Sequence, residues 1–163
     1  MANPIRFKKG TKTNLPTLAQ GEPGYCTDSD EMFVGDGSVN HPMNTQTPMF
    51  VLIDADTAQE ADTSIGGDWR ILAACTVIEV GAYCLGTAPD GAGTIIDIHE
   101  GGITILSTKI TIDTGEKSSK DAAAQPVISD SAIAAGAVIT FDIDGVAATT
   151  PGIGLVVWMK VVY

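Results

Sequence analysis

"GIGLVVWMKVVY", residues 152–163, carries apolar side chains at both parities. Leu155, Val157, Met159, Val161 and Tyr163 fall on one side, Val156, Trp158 and Val162 on the other, and Lys160 interrupts the run. Successive side chains of a strand point to opposite faces. A strand apolar on both faces must be covered on both, by a second sheet on one side and by a neighbour on the other.

Working outward, "AVITFDIDG" (residues 137–145) alternates Ile139, Phe141 and Ile143 against Thr140, Asp142 and Asp144, and "TIIDIHE" (94–100) alternates Ile96 and Ile98 against Asp97 and His99. Both are strands with one wet face. "ITILST" follows Gly101-Gly102, so residues 94–107 read as a hairpin whose turn uses glycine to reach positive φ. Beyond it, Ile110 and Ile112 continue a strand to a turn at Thr114-Gly115. A short helical turn is expected near Ser118–Ala124, capped by Ser119 and stopped by Pro126. "DADTAQEADTSIGGD" (54–68), with five acids and two glycines, has linker composition. The expected fold is all-β: an N-terminal extended arm with a β-hairpin over residues 1–48, a linker over 49–68, and an antiparallel, jelly-roll-like β-sandwich over 69–163.

The chain of 163 residues has a net charge of −11, and no run of about 18 apolar residues that would cross a bilayer as a helix. Neither a membrane nor a nucleic acid is an expected partner, since nucleic-acid binding is driven by cations that neutralise phosphates. The opening "MANPIRFKKG" puts basic and polar residues where a secretory signal would be apolar, so export by that route is not expected. Cys26, Cys75 and Cys84 form no CxxC pair and no even disulfide framework. They are expected as reduced structural thiols, which suits assembly in a reducing cytosol. Arg6, Lys8, Lys9 and Lys12 supply four of the nine cations, which suggests a basic arm on an acidic body.

"GYCTDSDEMFVGDG" (24–37) alternates around Ser29-Asp30, with Tyr25 and Thr27 before the turn and Met32 and Val34 after it. Asp36-Gly37 marks a second turn. An isolated hairpin with so few large apolar residues is marginal in water, and the segment is expected to lean on another chain.

Residues 5–37, "IRFKKGTKTNLPTLAQGEPGYCTDSDEMFVGDG", resemble the N-terminal segment of bacteriophage tail fibres and receptor-binding proteins, the major tropism determinant N-terminal domain family. The resemblance is carried by Arg6, Lys9, Gly10 and Thr11, by Leu15, Leu18, Gly21, Glu22, Gly24 and Tyr25, and by Thr27-Asp28 and Gly35-Asp36-Gly37. Residues 85–119 are similar to a β-sandwich module of phage fibre and capsid-surface proteins. The resemblance implies a virion protein whose N-terminal part forms trimers or attaches the chain. A homotrimer is accordingly expected, with Val156, Trp158 and Val162 at its interface. Arg6, Phe7, Lys8, Lys9, Lys12, Tyr25, Met32, Phe33 and Val34 are the expected contacts with capsid or a neighbouring subunit.

No catalytic constellation is present in the sequence. His41 and His99 are far apart and belong to no HExxH spacing, and there is no GxSxG. Asp142 and Asp144 share a strand face but lack the later ligands of a calcium loop. No enzyme activity, cofactor or metal is therefore expected. Two functions are open at this point. The first is a capsid decoration or cement protein on the exterior of the head, bound to the major capsid protein. The alternative is a short tail-fibre or receptor-binding subunit, bound to a tail or baseplate protein.

Overall fold

The structure is a computed structural model that describes residues 7–29, 31–43, 47–52 (backbone only) and 56–163. The chain divides into two compact units, Met1–Thr45 and Gln46–Tyr163. The fold is all-β, as expected from the alternation of the strands.

The first unit is a four-stranded sheet of β1 (Lys8–Gly10), β2 (Pro23–Cys26), β3 (Met32–Gly35) and β4 (Asn40–Pro42), in that order. The expected hairpin is β2–β3, with Tyr25 opposite Met32 and Pro23 opposite Val34; Asp30 of its turn lies outside the described residues. The hairpin does not stand alone: β1 joins β2 in parallel and β4 joins β3 antiparallel. Its core is small, with Leu18, Cys26 and Phe33 buried and Leu15 packed against them.

Close approach compensates for the lack of apolar bulk. Leu18 lies over two glycines, so that a Cβ on Gly24 would meet its Cδ1 at 2.9 Å and a Cβ on Gly35 its carbonyl oxygen at 2.3 Å. The backbone around it is satisfied locally. Leu18 N donates to Asn40 Oδ1, Asn40 Nδ2 donates to the Pro16 carbonyl, and Gly37 N donates to the Leu18 carbonyl. Asp36 Oδ1 accepts from the amides of Ser38 and Val39, with Gly37 at φ +93°, which is the second turn expected at Asp36-Gly37. A three- or four-stranded sheet with one apolar face can hold where a lone hairpin cannot. The segment expected as a lone hairpin is therefore a four-stranded unit with its own small core.

The second unit contains β5 (Thr47–Leu52), β6 (Trp69–Arg70), β7 (Cys75–Cys84), β8 (Thr94–Glu100), β9 (Ile103–Thr104), β10 (Leu106–Thr108), β11 (Ile110–Ile112), β12 (Val127–Ile128), β13 (Ala132–Ile133), β14 (Val138–Gly145) and β15 (Leu155–Val162). One sheet runs β11-β8-β14-β6, with β9 beside β8; another runs β13-β7-β15-β5; β10 and β12 pair separately. Every pairing in this unit is antiparallel. Ile96, Ile98, Ile139, Phe141 and Ile143 of the first sheet and Val77, Ala82, Leu155, Val157 and Met159 of the second belong to one buried cluster. Two sheets sharing one core is the arrangement a sandwich requires. Trp69 closes part of it, edge-on to Phe141 with ring centroids 6.4 Å apart.

Three local expectations change. The linker over 49–68 is not a linker: Thr47–Leu52 pairs along β15, Ala58 bridges Ile153, Asp62 bridges Ile143, and Ile65 is buried in the core. Composition missed this because backbone pairing and one or two anchoring side chains suffice to bind a polar segment to a sheet. The hairpin from residue 94 ends at Thr104, and Leu106–Thr108 leaves to pair with β12. The segment at 118–124 makes only a tight turn, with the Asp121 and Ala122 amides donating to the Ser118 and Ser119 carbonyls, and no helix. There the backbone joins β7 instead, with Ser118 bridged to Tyr83, Ser119 N donating to the Ala82 carbonyl and Ala82 N donating to Ser119 Oγ. The serine expected as a cap is used on a strand edge.

Candidate functional site

In the first unit, the strand pattern separates the expected contact residues into two sets. Gly24, Cys26, Phe33 and Gly35 face the small core, and Phe33 is 8 % exposed. Phe33 is therefore consumed by the unit's own packing and is withdrawn as a contact residue. On the other face, the register places Lys9, Tyr25 and Met32 in one row across β1, β2 and β3 and Pro23, Val34 and His41 in the next, across β2, β3 and β4. Met32 is 37 % exposed, and Phe7, just ahead of β1, is 43 % exposed. Arg6 lies outside the described residues. This outer face is a mixed apolar and polar surface with a lysine and a histidine at its edges.

The basic arm is not a basic surface. Lys8 Nζ is 2.8 Å from Glu22 Oε2, and Lys12 Nζ is 2.8 Å from Glu31 Oε2. The Lys8 ammonium, followed by the Ala19 amide, holds the Glu22 carboxyl below its ordinary range. Unit 1 contains four cations and five acids, and two of the four cations at its start are paired in the fold. Lys9 makes no ion pair among the described residues. Asp36 is held far below the usual carboxylate range by His41 first, at 2.8 Å, and then by the amides of Val39 and Ser38. His41 thus caps a turn.

In the second unit, the two histidine and aspartate motifs of "TIIDIHE" and "AVITFDIDG" come together on adjacent strands. Asp97 is 1 % exposed. It accepts hydrogen bonds at Oδ1 from Thr104 Oγ1 (2.6 Å) and the Ile98 amide (2.8 Å), while Lys109 Nζ sits 3.0 Å from its Oδ2 as an ion pair. Lys109 also reaches Asp144 Oδ2 at 2.6 Å, and His99 Nδ1 lies 3.2 Å from Asp142 Oδ2. Asp142 Oδ1 accepts from the Ser64 amide. Asp142 and Asp144, weighed in the sequence as calcium ligands, are each taken up by protein donors. The network joins β8, β9, β14 and Lys109, which lies between β10 and β11, and it reads as structural.

All three cysteines are buried free thiols, and burial pushes each one up from its ordinary range. Gln59, a buried residue of the segment that sequence composition assigned to a linker, donates to Cys84 Sγ and accepts from Thr94 Oγ1.

The residues expected at a trimer interface lie along one strand, β15, and differ in exposure. Val156 is buried within the chain, and Val162 is half-buried opposite Thr76. Trp158 is partly exposed, opposite Gly81 of β7. Around it lie Tyr83, Lys117, Lys120, Lys160 and Glu79, which line one concavity. Sequence reading missed that cluster because its lysines come from separate segments. The available signal was Gly81, a glycine inside a long apolar run, which marks a place where something approaches the backbone closely.

No curated protein and no solved structure matches the chain. The similarity of residues 85–119 to a phage sandwich module has no counterpart among these comparisons. Residues 5–39, which span β1 to β3 and the turn that follows, match the family model described as the major tropism determinant N-terminal domain, so that the likeness covers the first unit of the chain.

Proposed function

We propose that this chain is a non-catalytic virion subunit of the short tail-fibre or receptor-binding type, held on the particle by its first unit and presenting its second unit to the host surface. The observation that carries the reading is the match of residues 5–39 to a tropism-determinant domain, on a segment that closes into a unit of its own. The outer face bearing Lys9, Tyr25, Met32 and Val34 is the attachment surface in this proposal, with a tail or baseplate protein as its partner. Self-association into a homotrimer is part of the same proposal.

The capsid decoration reading relied on a basic grip for an acidic shell, and the pairing of Lys8 and Lys12 with Glu22 and Glu31 takes away half of that grip. Imaging intact particles and assigning this chain to density tests the choice. A small number of copies confined to the tail is the expected outcome. Copies spread over the three-fold positions of the head would overturn it in favour of decoration, and the mass of the isolated chain by light scattering checks the trimer.

A further inference from the structure

We propose that the concavity around Trp158 on the outer face of β7 and β15 binds an anionic saccharide, a sugar of the host cell surface that carries a carboxylate or phosphate. The proposal rests on the receptor-binding reading for the source of that sugar alone. The site itself is argued from charge, seating and shape.

Charge comes first. The second unit holds fifteen acids and five cations. Three of those five cations, Lys117, Lys120 and Lys160, line this one concavity, with Glu79 as their acidic neighbour. Elsewhere in the unit a lysine collects carboxylates: Lys109 has two, at 2.6 and 3.0 Å. Here the ratio is reversed. Lys120 and Lys160 share the two oxygens of Glu79 at 3.4 and 3.8 Å, well beyond the roughly 2.7–2.9 Å of a charge-assisted hydrogen bond. Lys117 makes no ion pair among the described residues. Three ammonium groups around one distant carboxylate leave room for an anion from outside.

The aromatic floor is built. Trp158 lies flat against the sheet because its cross-strand partner is Gly81, where a Cβ would meet indole Cζ2 at 2.3 Å. Lys120 Nζ sits 5.4 Å from the ring centroid on a cation–π contact. The segment that carries Lys117 and Lys120 is tied to β7 by the Cys84 amide donating to the Lys117 carbonyl at 2.8 Å and by the Ser118–Tyr83 bridge. The ring and the backbone that carries Lys117 and Lys120 are thus positioned by strand pairing, while the Lys120 side chain itself extends into solvent.

Shape and surroundings select the ligand. The concavity holds about 530 Å³ and is open to solvent, within the roughly 300–1,000 Å³ of small-ligand sites. The indole edge and Tyr83 give the concavity an apolar wall for the C–H groups of a pyranose, and the lysines, Lys120 over the ring among them, offer donors to its hydroxyls and acid group. The second unit carries fifteen acids against five cations, an excess that opposes an extended polyanion such as nucleic acid more than a single sugar acid.

The test is titration of the full-length chain with trigalacturonate, with its uncharged methyl ester, and with inorganic phosphate, followed by indole fluorescence and calorimetry. The acid is expected to bind at least about tenfold tighter than either the ester or phosphate. Trp158→Ala and the pair Lys117→Gln with Lys120→Gln are each expected to lose about tenfold or more, while Trp158→Phe retains most of the affinity. Equal binding of acid and ester, equal binding of phosphate, absence of saccharide binding, or unchanged affinity in the lysine variant would each overturn the site. Light scattering of Trp158→Ala separates the remaining possibility: an unchanged mass supports a ligand site, and a fall in mass shows a subunit interface instead. Because the titration uses the isolated chain, its failure leaves the particle location untouched, and a head location would leave the sugar site standing.

Discussion

Replacing Gly81 by alanine adds one methyl group where the structure has no space for it. The new Cβ would lie 2.3 Å from Trp158 Cζ2 and 2.6 Å from Cε2, so the indole must leave its seat or the two strands must part. Overpacking of this kind costs about 1–3 kcal/mol. Two terms act in the opposite direction. Gly81 is not among the glycines at positive φ, so alanine fits the backbone there, and removing a glycine's freedom in the unfolded chain returns about 0.4–1 kcal/mol. The net loss expected is about 1–2 kcal/mol in the native background.

In a Trp158→Ala background the clash disappears, and the same change should be neutral or stabilising by up to about 1 kcal/mol. The double-mutant cycle therefore predicts a coupling of about 2 kcal/mol between positions 81 and 158, within the usual 0.5–3 kcal/mol for touching residues. Trp69 is present in all four proteins and packs edge-on against Phe141, so its fluorescence reports unfolding of the second unit. With a urea slope of about 1–3 kcal/mol/M, the coupling appears as a midpoint difference of roughly 1 M. An equal effect of Gly81→Ala in both backgrounds would refute the claim that this glycine exists to seat the tryptophan.

Leu18→Ala empties a three-residue core and should cost about 2–5 kcal/mol, enough to unfold the first unit; amide exchange should show protection lost over residues 7–43 and kept in the second unit. Lys8→Glu and Lys12→Glu put acid against Glu22 and Glu31 and should lower the stability of the first unit, whereas Lys9→Glu should leave it unchanged. Particle binding by the folded Lys9→Glu chain therefore measures the attachment surface without a folding effect. Burial opposes the charge of Asp97, but hydrogen bonds from Thr104 and the Ile98 amide and the Lys109 ammonium outweigh it and hold the carboxyl below its ordinary range. A depressed folded value gives stability that is complete above the unfolded value of about 3.9 and is lost as pH falls through the folded one. Urea midpoints of the native protein should thus decline from about pH 4 downward, and those of Asp97→Asn should be lower at pH 7 but flatter over that window.

Much of the strand inventory could be read from alternation alone. Ile139, Phe141 and Ile143, and Ile96 and Ile98, are buried as their parity requires, because a strand with one wet face has only one way to bury its apolar set. Gly101-Gly102 and Asp36-Gly37 turn where they should, since positive φ at those glycines is a local property. The tropism-determinant likeness was legible too, as the spacing of glycines and small apolar residues in one contiguous segment.

What the linear chain could not express were the partnerships. Lys8 and Lys12 belong to one basic run in sequence, yet 14 and 19 residues later their counter-charges fold onto them. Residues 54–68 look like a linker until Gln59 and Ile65 are placed under neighbouring segments. Phe33 looks like a contact until Leu18 and Cys26 cover it. Lys117 and Lys120 come from a distant segment to join Lys160 beside Trp158. Local alternation, turn chemistry and the contiguous N-terminal signature were determined by the sequence by itself, because each depends on residues within a few positions of one another. Which charges cancel, which apolar side chains are spent inside, and where cations collect around a ring were decided only by the tertiary structure, because burial and Coulomb energy depend on distance in space.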